Sequence, residues 1–192
     1  MKKLFLTLSL VAITIMGMAQ EREYNFFVKA GINVSDISNE IDYTEKVGIK
    51  LGAGFDFYFN QHMGMQTGLF ISSKGAKLEK TTINAVYLEC PMKATARFKV
   101  NKLVNVVFNS GPYLAYGIGG KIKTENDPYE AIEKNSFGKD RLNRLDAGLE
   151  FGIATEIKCF VIGIDTQFGL TKMNTPAKMK NQTIGFSLGC KF

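Results

Sequence analysis

The last ten residues, T-I-G-F-S-L-G-C-K-F at positions 183–192, alternate between two kinds of side chain. Ile184, Phe186, Leu188, Cys190 and Phe192 are apolar, and the residues between them are small or polar. A period of two places successive side chains on opposite faces of a β-strand. This stretch therefore predicts a strand with one apolar face and one polar face.

The same alternation recurs along the chain and predicts an all-β protein with eight strands. Each predicted strand is near or above the about 9–11 residues that a tilted strand needs to cross a bilayer. The fold class that this pattern favours is an eight-stranded antiparallel transmembrane up-and-down β-barrel. The predicted strands are residues 24–34, 47–59, 63–74, 84–100, 104–118, 145–157, 160–170 and 183–192.

The predicted connections alternate in length, which is typical of transmembrane barrels. Residues 60–62, 101–103 and 158–159 form short turns, and residues 35–46, 75–83, 121–143 and 172–180 form longer polar loops. With the exported N-terminus in the periplasm, the first strand runs outward. We therefore expect all four long loops outside the cell and both chain ends in the periplasm.

The N-terminus resembles a signal for export. Lys2 and Lys3 precede an apolar run at 4–18, and small Gly17 and Ala19 mark a cleavage site. We expect residues 1–19 to be a cleaved signal peptide, and residues 20–192 to form the outer-membrane barrel domain. An N-terminal transmembrane anchor is the alternative, but the apolar run is short against the about 20 residues of a membrane helix.

Alternation alone does not distinguish a membrane barrel from a soluble, lipocalin-like barrel, whose apolar face points inward. Glycines crowd the polar face, which suits a narrow lumen that must admit large side chains from opposite walls. The chain also ends on Phe192, an aromatic residue that we expect the barrel assembly machinery to read as an assembly signal. Apolar-face aromatics gather at the predicted periplasmic strand ends, as in a membrane girdle: Tyr24, Phe26, Phe57, Phe59, Phe98, Phe160 and Phe192.

The polar faces of the strands carry charges whose sign differs between strands: the first four are mainly basic, and the sixth and seventh are acidic. An eight-stranded barrel is just wide enough for side chains to fill it, so we predict a paired polar network that plugs the lumen. Lys93 and Glu150 both lie about seven residues from the periplasmic strand ends, near one level. The alternative is a wet channel in which each charge is hydrated separately. The first four strands supply Lys29, Lys50, Lys93, Arg97 and Lys99, with Asp56 and Glu89, and the sixth and seventh supply Asp146, Glu150, Glu156 and Asp165.

Residues for catalysis, metals or cofactors are scarce, and we expect none of these functions. The single histidine, His62, falls in a predicted short turn, far from the outer leaflet where a Ser-His-acid arrangement would act on lipid. Cys90, Cys159 and Cys190 are an odd, widely spaced trio and predict no disulfide framework. We interpret Cys90 and Cys190 as small apolar strand residues.

The charge pattern bears on partners. The net charge of +6 is spread along the chain, which argues against nucleic acid and suits a rim that meets outer-membrane lipid head groups. Two aromatic residues of the longest loop, Tyr129 and Phe137, have two interpretations: contact with a protein partner, or packing of the loop onto the barrel rim. Packing is the favoured one.

Several short motifs resemble the PorT-like outer-membrane β-barrel family common in Bacteroidetes. The resemblance covers nearly the whole mature chain and implies an outer-membrane barrel; the founding member is linked to protein secretion. Three functions follow as expectations: a non-enzymatic structural or partner-docking barrel, an accessory component of a secretion or assembly machine, and, least favoured, a lipid-modifying enzyme. The motifs are Gly31-Ile32-Asn33-Val34-Ser35, Lys74-Gly75, Tyr87-Leu88-Glu89-Cys90-Pro91, Gly111-Pro112-Tyr113-Leu114, Asp146-Ala147-Gly148-Leu149-Glu150-Phe151-Gly152, Gln167-Phe168-Gly169-Leu170 and the terminal Phe192.

Overall fold

The computed structural model describes residues 23–38, 44–78, 81–127, 130–137, 143–171 and 180–192. The predicted signal peptide, residues 1–19, lies outside the described residues. No helix among the described residues is long and apolar enough to span a membrane. The strands are β1 (Glu23–Ser38), β2 (Thr44–Tyr58), β3 (Met63–Leu78), β4 (Thr81–Lys99), β5 (Val104–Asp127), β6 (Glu130–Asn135), β7 (Leu145–Ile157), β8 (Phe160–Gly169) and β9 (Lys180–Lys191).

Eight of these strands form a closed antiparallel barrel. The order around the wall is β1-β2-β3-β4-β5-β7-β8-β9, and β9 pairs with β1 to close it. The ninth strand, β6, pairs with the far end of β5 and stands outside the wall. The predicted fold class is therefore confirmed.

The two ends of the chain meet at the seam between β1 and β9. Val28 lies opposite Cys190, and Ser38 lies opposite Lys180, so the seam runs the length of both strands. At its last residue, the Phe192 amide donates to the Phe26 carbonyl at 2.8 Å, and the Phe26 amide donates to the Phe192 carbonyl at 3.1 Å. The final residue thus completes the closure of the sheet.

The apolar face points out of the barrel and the polar face points in. Phe192 is 73% exposed and Ile49 is 67% exposed, whereas the inward-facing Asp56 and Glu89 are completely buried. A soluble barrel has the opposite arrangement, because its apolar face fills the interior. The distribution of side chains fits a barrel whose outer surface contacts lipid.

The predicted gathering of aromatic residues is found at the end of the barrel that carries the short turns. This end, called the short-turn end below, includes the turns at 59–62, 100–103 and 158–159. Pairs of rings with centroids 4.8–6.3 Å apart form two groups there, one around Phe57 and one around Phe26. The first group is Tyr24, Phe57 and Phe59, and the second is Phe26, Phe55 and Phe192. Of the other two predicted residues, Phe98 pairs with Phe108 at 5.8 Å, and Phe160 is exposed.

Glycines do line the inner face, but for a reason that differs from the predicted one. A Cβ built on Gly54 would lie 2.6 Å from Cζ of Phe27, its cross-strand partner. A Cβ built on Gly148 would lie 2.7 Å from Cε1 of Tyr113, again a cross-strand partner. These glycines therefore make room for a ring from the neighbouring strand, not from the opposite wall. A ring that covers a glycine also shields its backbone, which stabilises strands at such positions.

Three predicted loops are partly strand. Residues 35–46 were expected to form a loop, yet β1 extends to Ser38 and β2 begins at Thr44. Residues 75–83 were expected to form a loop, yet β3 extends to Leu78 and pairs with Thr81 at the start of β4. Residues 121–143 were also expected to form a loop, yet β5 continues to Asp127 and forms a hairpin with β6. The extensions of β3 and β5 project beyond the barrel wall, where no apolar face is needed. The apolar periodicity therefore fades before the strands end.

Deletion of Phe192 should sharply lower the fraction of the protein that is folded in the membrane. The deletion removes the two backbone hydrogen bonds with Phe26, and it removes the aromatic end that we expect the assembly machinery to read. The measurement is the folded fraction in isolated outer membranes, from the mobility difference between heated and unheated samples. The matched control is Phe186→Ala, which removes an outward-facing ring from the middle of the same strand. Equal folded fractions for the deletion and the wild type would contradict the assigned role.

Candidate functional site: the charged lumen

The barrel interior holds an even set of buried charges. Five buried basic residues face five buried acidic residues within the described part of the chain. Charged groups away from water are costly unless they are paired and hydrogen-bonded. The geometry of the pairs therefore decides whether this interior is stable. The residues are Lys29, Lys50, Lys74, Lys93 and Arg97 with Asp56, Glu89, Asp146, Glu150 and Glu156.

A central cluster occupies the middle of the lumen. Lys93 Nζ, on β4, donates to Glu150 Oε1, on β7, at 2.7 Å. Lys50 Nζ, on β2, lies 3.7 Å from Glu150 Oε2 and 3.4 Å from Asp165 Oδ2. The same ammonium group lies 3.5 Å from Glu89 Oε2. One lysine thus contacts three carboxylates that belong to three different strands.

Gln167 connects the members of the central cluster. Its side-chain oxygen accepts a hydrogen bond from Lys74 Nζ at 2.7 Å, directly across the barrel from β3. Its amide nitrogen donates to Glu150 Oε2 at 2.7 Å and to Glu89 Oε2 at 3.1 Å. Lys74 Nζ is also 2.6 Å from Glu89 Oε1. A side-chain amide has an oxygen that accepts and a nitrogen with two hydrogens that donate. Gln167 uses its oxygen as an acceptor and its nitrogen as a donor.

Gly111 provides the gap that the Lys93–Glu150 pair crosses. Lys93 and Glu150 are not on facing walls, because β5 is the only strand between β4 and β7. Gly111 of β5 lies opposite Glu150, and a Cβ built on it would be 2.8 Å from the Lys93 Cα. The absence of a side chain at this position leaves the inner surface of β5 open for the ion pair.

A basal cluster closes the short-turn end. Lys191 Nζ contacts the carboxylates of both Asp56 and Glu156. Arg97 forms a two-point contact with Glu23, with donor–acceptor distances of 2.9 and 2.5 Å. Paired hydrogen bonds between a guanidinium and a carboxylate are among the stronger polar contacts.

Lys29 lies between the two clusters. Its Nζ donates to Gln66 Oε1 at 3.4 Å and lies 4.6 Å from the centroid of the Phe27 ring. Gln66 in turn donates to Asp56 Oδ1 at 2.6 Å. Through Gln66, Lys29 is connected to the basal cluster by a buried amide.

The opposite end of the lumen is covered by the segment that follows β6. The Phe137 ring is buried and packs edge-on against Tyr87, with centroids 5.5 Å apart. Arg144 Cζ lies 5.6 Å from the Phe137 centroid, and Arg144 also donates to the Gly117 carbonyl. Packing is therefore the interpretation that holds for Phe137, whereas Tyr129 lies outside the described residues.

Asp146 anchors the polar side of this covered mouth. Its carboxylate accepts hydrogen bonds from Tyr113 OH at 3.2 Å and from Thr171 Oγ1 at 2.6 Å. Tyr113 belongs to β5, which is next to β7, and Thr171 follows the end of β8. Two hydroxyl groups thus hold the carboxylate of Asp146.

A small cavity lies inside the lumen, within the central cluster. It lies among Lys29, Lys50, Lys93, Glu150 and Asp165 and has a volume of about 20 Å³, which is enough for about one water molecule. A much larger concavity, about 600 Å³, has Ala94, Ala96, Phe108, Phe151 and Ile164 in its lining. These five side chains face outward, and the lining also includes the inward-facing Thr95, Asn109 and Asp165.

The structure places ten of the eleven charges predicted from the sequence on the inner face: Lys29, Lys50, Asp56, Glu89, Lys93, Arg97, Asp146, Glu150, Glu156 and Asp165. Lys99 was also expected there, but it is exposed at the end of β4 and donates to Gln61 at 3.4 Å. Sequence reasoning missed Lys74, Gln167, Lys191 and Glu23 as partners. Lys74 and Gln167 occupy positions that the alternation of their strands assigns to the inner face. Strict use of the alternation would therefore have included them.

His62 takes no part in the network. It lies in the short turn between β2 and β3, and its backbone amide donates to Asn60 Oδ1 at 2.9 Å. Its backbone carbonyl accepts from the Arg97 amide at 2.6 Å. Within the described residues, no group of three His, Cys, Asp or Glu side chains is arranged to hold a metal ion.

The closed eight-stranded wall, the apolar outer face and the charged interior together define a transmembrane β-barrel of the outer-membrane type. Residues 18–174 match the family described as outer membrane protein beta-barrel domain, and the chain belongs to that family. Its location is accordingly the outer membrane. No curated protein is detectably similar in sequence.

Solved structures of small barrels are similar to this chain. Neisserial surface protein A is 12% identical, with a TM-score of 0.52, and the match covers 87% of this chain and 97% of that one. Ail of Yersinia pestis, solved in complex with the heparin analogue sucrose octasulfate, is 16% identical, covers 88% and 99%, and has a TM-score of 0.47. OprG of Pseudomonas aeruginosa is 11% identical, covers 91% and 99%, and has a TM-score of 0.47. At these identities the likeness to Neisserial surface protein A concerns the fold alone.

Glu150→Ala should lower the free energy of unfolding by about 3 kcal/mol, because it leaves the buried Lys93 without its carboxylate partner. Adding Lys93→Met should recover part of this loss, because the second change removes one stranded charge. The measurement is reversible urea unfolding of the purified barrel in lipid vesicles, analysed as a double-mutant cycle. We expect a coupling energy of about 1 kcal/mol or more.

Lys99→Met is the matched control for this cycle, because Lys99 is a lysine of the same strand that lies outside the lumen. Its effect should simply add to that of Glu150→Ala. If the effects of Lys93→Met and Glu150→Ala are also additive, Lys93 and Glu150 are not energetic partners.

Proposed function

We propose that this protein is a non-enzymatic outer-membrane barrel with a plugged lumen, which serves as a structural or partner-docking element through its long-loop end. The observation that carries the proposal is the charge network that fills the interior. A conduit needs a continuous open path, whereas here lysines and carboxylates contact one another inside the lumen at 2.6–3.7 Å. An ion that entered would have to displace these pairs.

Two layers of contacts support a closed barrel. The basal cluster joins β1 to β4 through Arg97 and Glu23, and it joins β2, β7 and β9 through Lys191. The central cluster joins β2, β3, β4, β7 and β8. Opening either layer means separating several charges at once in a narrow space, which is expensive. These contacts therefore argue against a lumen that opens and closes as a gated channel.

The two ends of the barrel differ in what they offer to a partner. The short-turn end consists of tight turns and aromatic residues. At the other end, called the long-loop end, β5 reaches 24 residues in length, whereas β8 has 10. At about 3.4 Å per residue, the hairpin of β5 and β6 extends well beyond the wall. This projecting hairpin is the surface that favours a docking role.

The narrower affiliation with PorT-like proteins is also a proposal. Several residues that carry the resemblance belong to the lumen: Glu89 and Glu150 lie in the central cluster with Gln167, and Gly111 makes room for the Lys93–Glu150 pair. The resemblance thus concerns the filling of the interior more than the loops. On this view the second candidate, an accessory part of a secretion machine, would use the barrel as a docking body and not as the conduit.

Purified protein in a planar lipid bilayer should show no steady conductance in the nanosiemens range, because the paired charges and the Phe137 ring close the lumen. A general diffusion porin measured in the same membranes is the positive control. Heat-shifted gel mobility verifies that the inserted protein is folded. Steady nanosiemens steps from the folded wild type would overturn the plug.

A short epitope inserted after Asp127, in the tip of the β5–β6 hairpin, should be labelled by antibody on intact cells. The same epitope beside His62 should be labelled only after permeabilisation, because the short turns are expected to face the periplasm. Labelling in the reverse order would contradict the proposed orientation and, with it, docking from outside the cell.

A shortened hairpin provides a matched variant for the docking role. Replacing residues 124–132 by Asn-Gly joins Lys123 to Glu133, which are already cross-strand partners, through a favoured two-residue turn. Phe137 and the lumen are left unchanged. If surface cross-linking gives the same products with this variant as with the wild type, the hairpin is not the docking surface.

A further inference from the structure

Two of the three cysteines meet at the short-turn end. Cys159 lies in the turn between β7 and β8, and Cys190 is near the end of β9. Cys190 is the cross-strand partner of Phe160, and the Lys191 amide donates to the Cys159 carbonyl at 2.7 Å. The two cysteines are therefore diagonal neighbours on adjacent strands. Cys90 is on β4, where it faces Leu114 of β5.

The backbone geometry suits a bond between the two sulfur atoms. Strands are about 4.8 Å apart and rise about 3.4 Å per residue, so a diagonal pair of Cα atoms is separated by about 6 Å. Disulfides span Cα separations of about 4.4–6.8 Å. Strict alternation would place the two side chains on opposite faces. Here Cys159 belongs to the turn, where Lys158 has a φ of 56°, so the strand alternation does not set the direction of its side chain.

We propose that Cys159 and Cys190 are joined by a disulfide bond in the exported protein. Both side chains are half-buried and remain accessible to exchange. Proteins outside the cytoplasm meet thiol-oxidising systems, whereas cytosolic thiols are kept reduced. The protein's outer-membrane location therefore places both thiols in a compartment where such a bond forms and persists.

The oxidant is a protein disulfide of the thiol–disulfide exchange class. One thiolate of the pair attacks a sulfur of that disulfide, whose S–S bond breaks to give a mixed disulfide. The second thiolate then attacks the mixed disulfide, forms the Cys159–Cys190 bond and releases the oxidant as a dithiol. Two electrons pass to the oxidant, and the two protons lost by the cysteines balance the two thiols that it gains.

The bond would fasten the last strand where the chain closes the barrel. Cys190 lies opposite Val28 on the seam with β1, and it precedes by two residues the Phe192 amide that donates to Phe26. A disulfide to the β7–β8 turn connects the end of β9 covalently to the hairpin of β7 and β8. It also restricts the unfolded chain between residues 159 and 190, which stabilises the folded state.

Peptide mass spectrometry distinguishes the linked from the free state, because trypsin separates the three cysteines. Cleavage after lysines gives residues 81–93 with Cys90, 159–172 with Cys159 and 181–191 with Cys190. Free thiols are alkylated in intact cells and again during denaturation, before any reductant is added. We expect a disulfide-linked pair of peptides 159–172 and 181–191, with Cys90 alkylated.

Each cysteine variant adds a specific outcome. Cys190→Ser should release Cys159 for alkylation, whereas Cys90→Ser should leave the linked pair intact. In a non-reducing gel of fully denatured protein, the wild type and Cys90→Ser should migrate faster than their reduced forms. Alkylation of all three cysteines in the wild type, or a link that involves Cys90, would overturn the proposal.

Discussion

A closed ring of eight strands leaves a lumen so narrow that every inward charge must find a partner on another strand. This constraint governs the interior. Lys50 contacts carboxylates of β4, β7 and β8, and Gln167 connects β3 with β4 and β7. Except for Gln167 with Glu150 on consecutive strands, these contacts join elements distant in sequence, so the network acts mainly on tertiary closure. A charge that lost its partner would remain buried without solvation by bulk water.

The same constraint explains how small and large residues are distributed inside the barrel. Lumen space is taken by rings and long charged chains, and glycines occur beside them. Gly54 and Gly148 make room for the Phe27 and Tyr113 rings from neighbouring strands. Gly111 has a different role, because it leaves β5 bare where Lys93 reaches Glu150. Glycine is unfavourable within strands, and here its use follows from what its neighbours need.

Most of the wall could be predicted from the sequence, because inside a membrane every outward position must be apolar. That requirement imposes a period of two on residues such as Ile184, Phe186 and Leu188. Beyond the membrane this requirement no longer applies. The alternation therefore predicts a loop where β5 and β6 form a hairpin. The inward-facing charges were also predictable from parity. Their partners were not, since Lys191 meets Asp56 only after β1 has closed against both β2 and β9.

Register follows from the two faces together. A one-residue slip of a strand exchanges its faces, so a slip of β2 would turn Lys50 and Asp56 toward lipid and Ile49 and Phe55 toward the lumen. A lysine that faces lipid costs about 2–4 kcal/mol at the bilayer midplane, and its former partners would be left unpaired. Apolar contact with lipid alone does not fix the register of two neighbouring strands, because any outward-facing apolar residue satisfies it. The ion pairs do fix it, because Lys93 reaches Glu150 only with Gly111 between them. The lumen network thus selects one closure of the barrel.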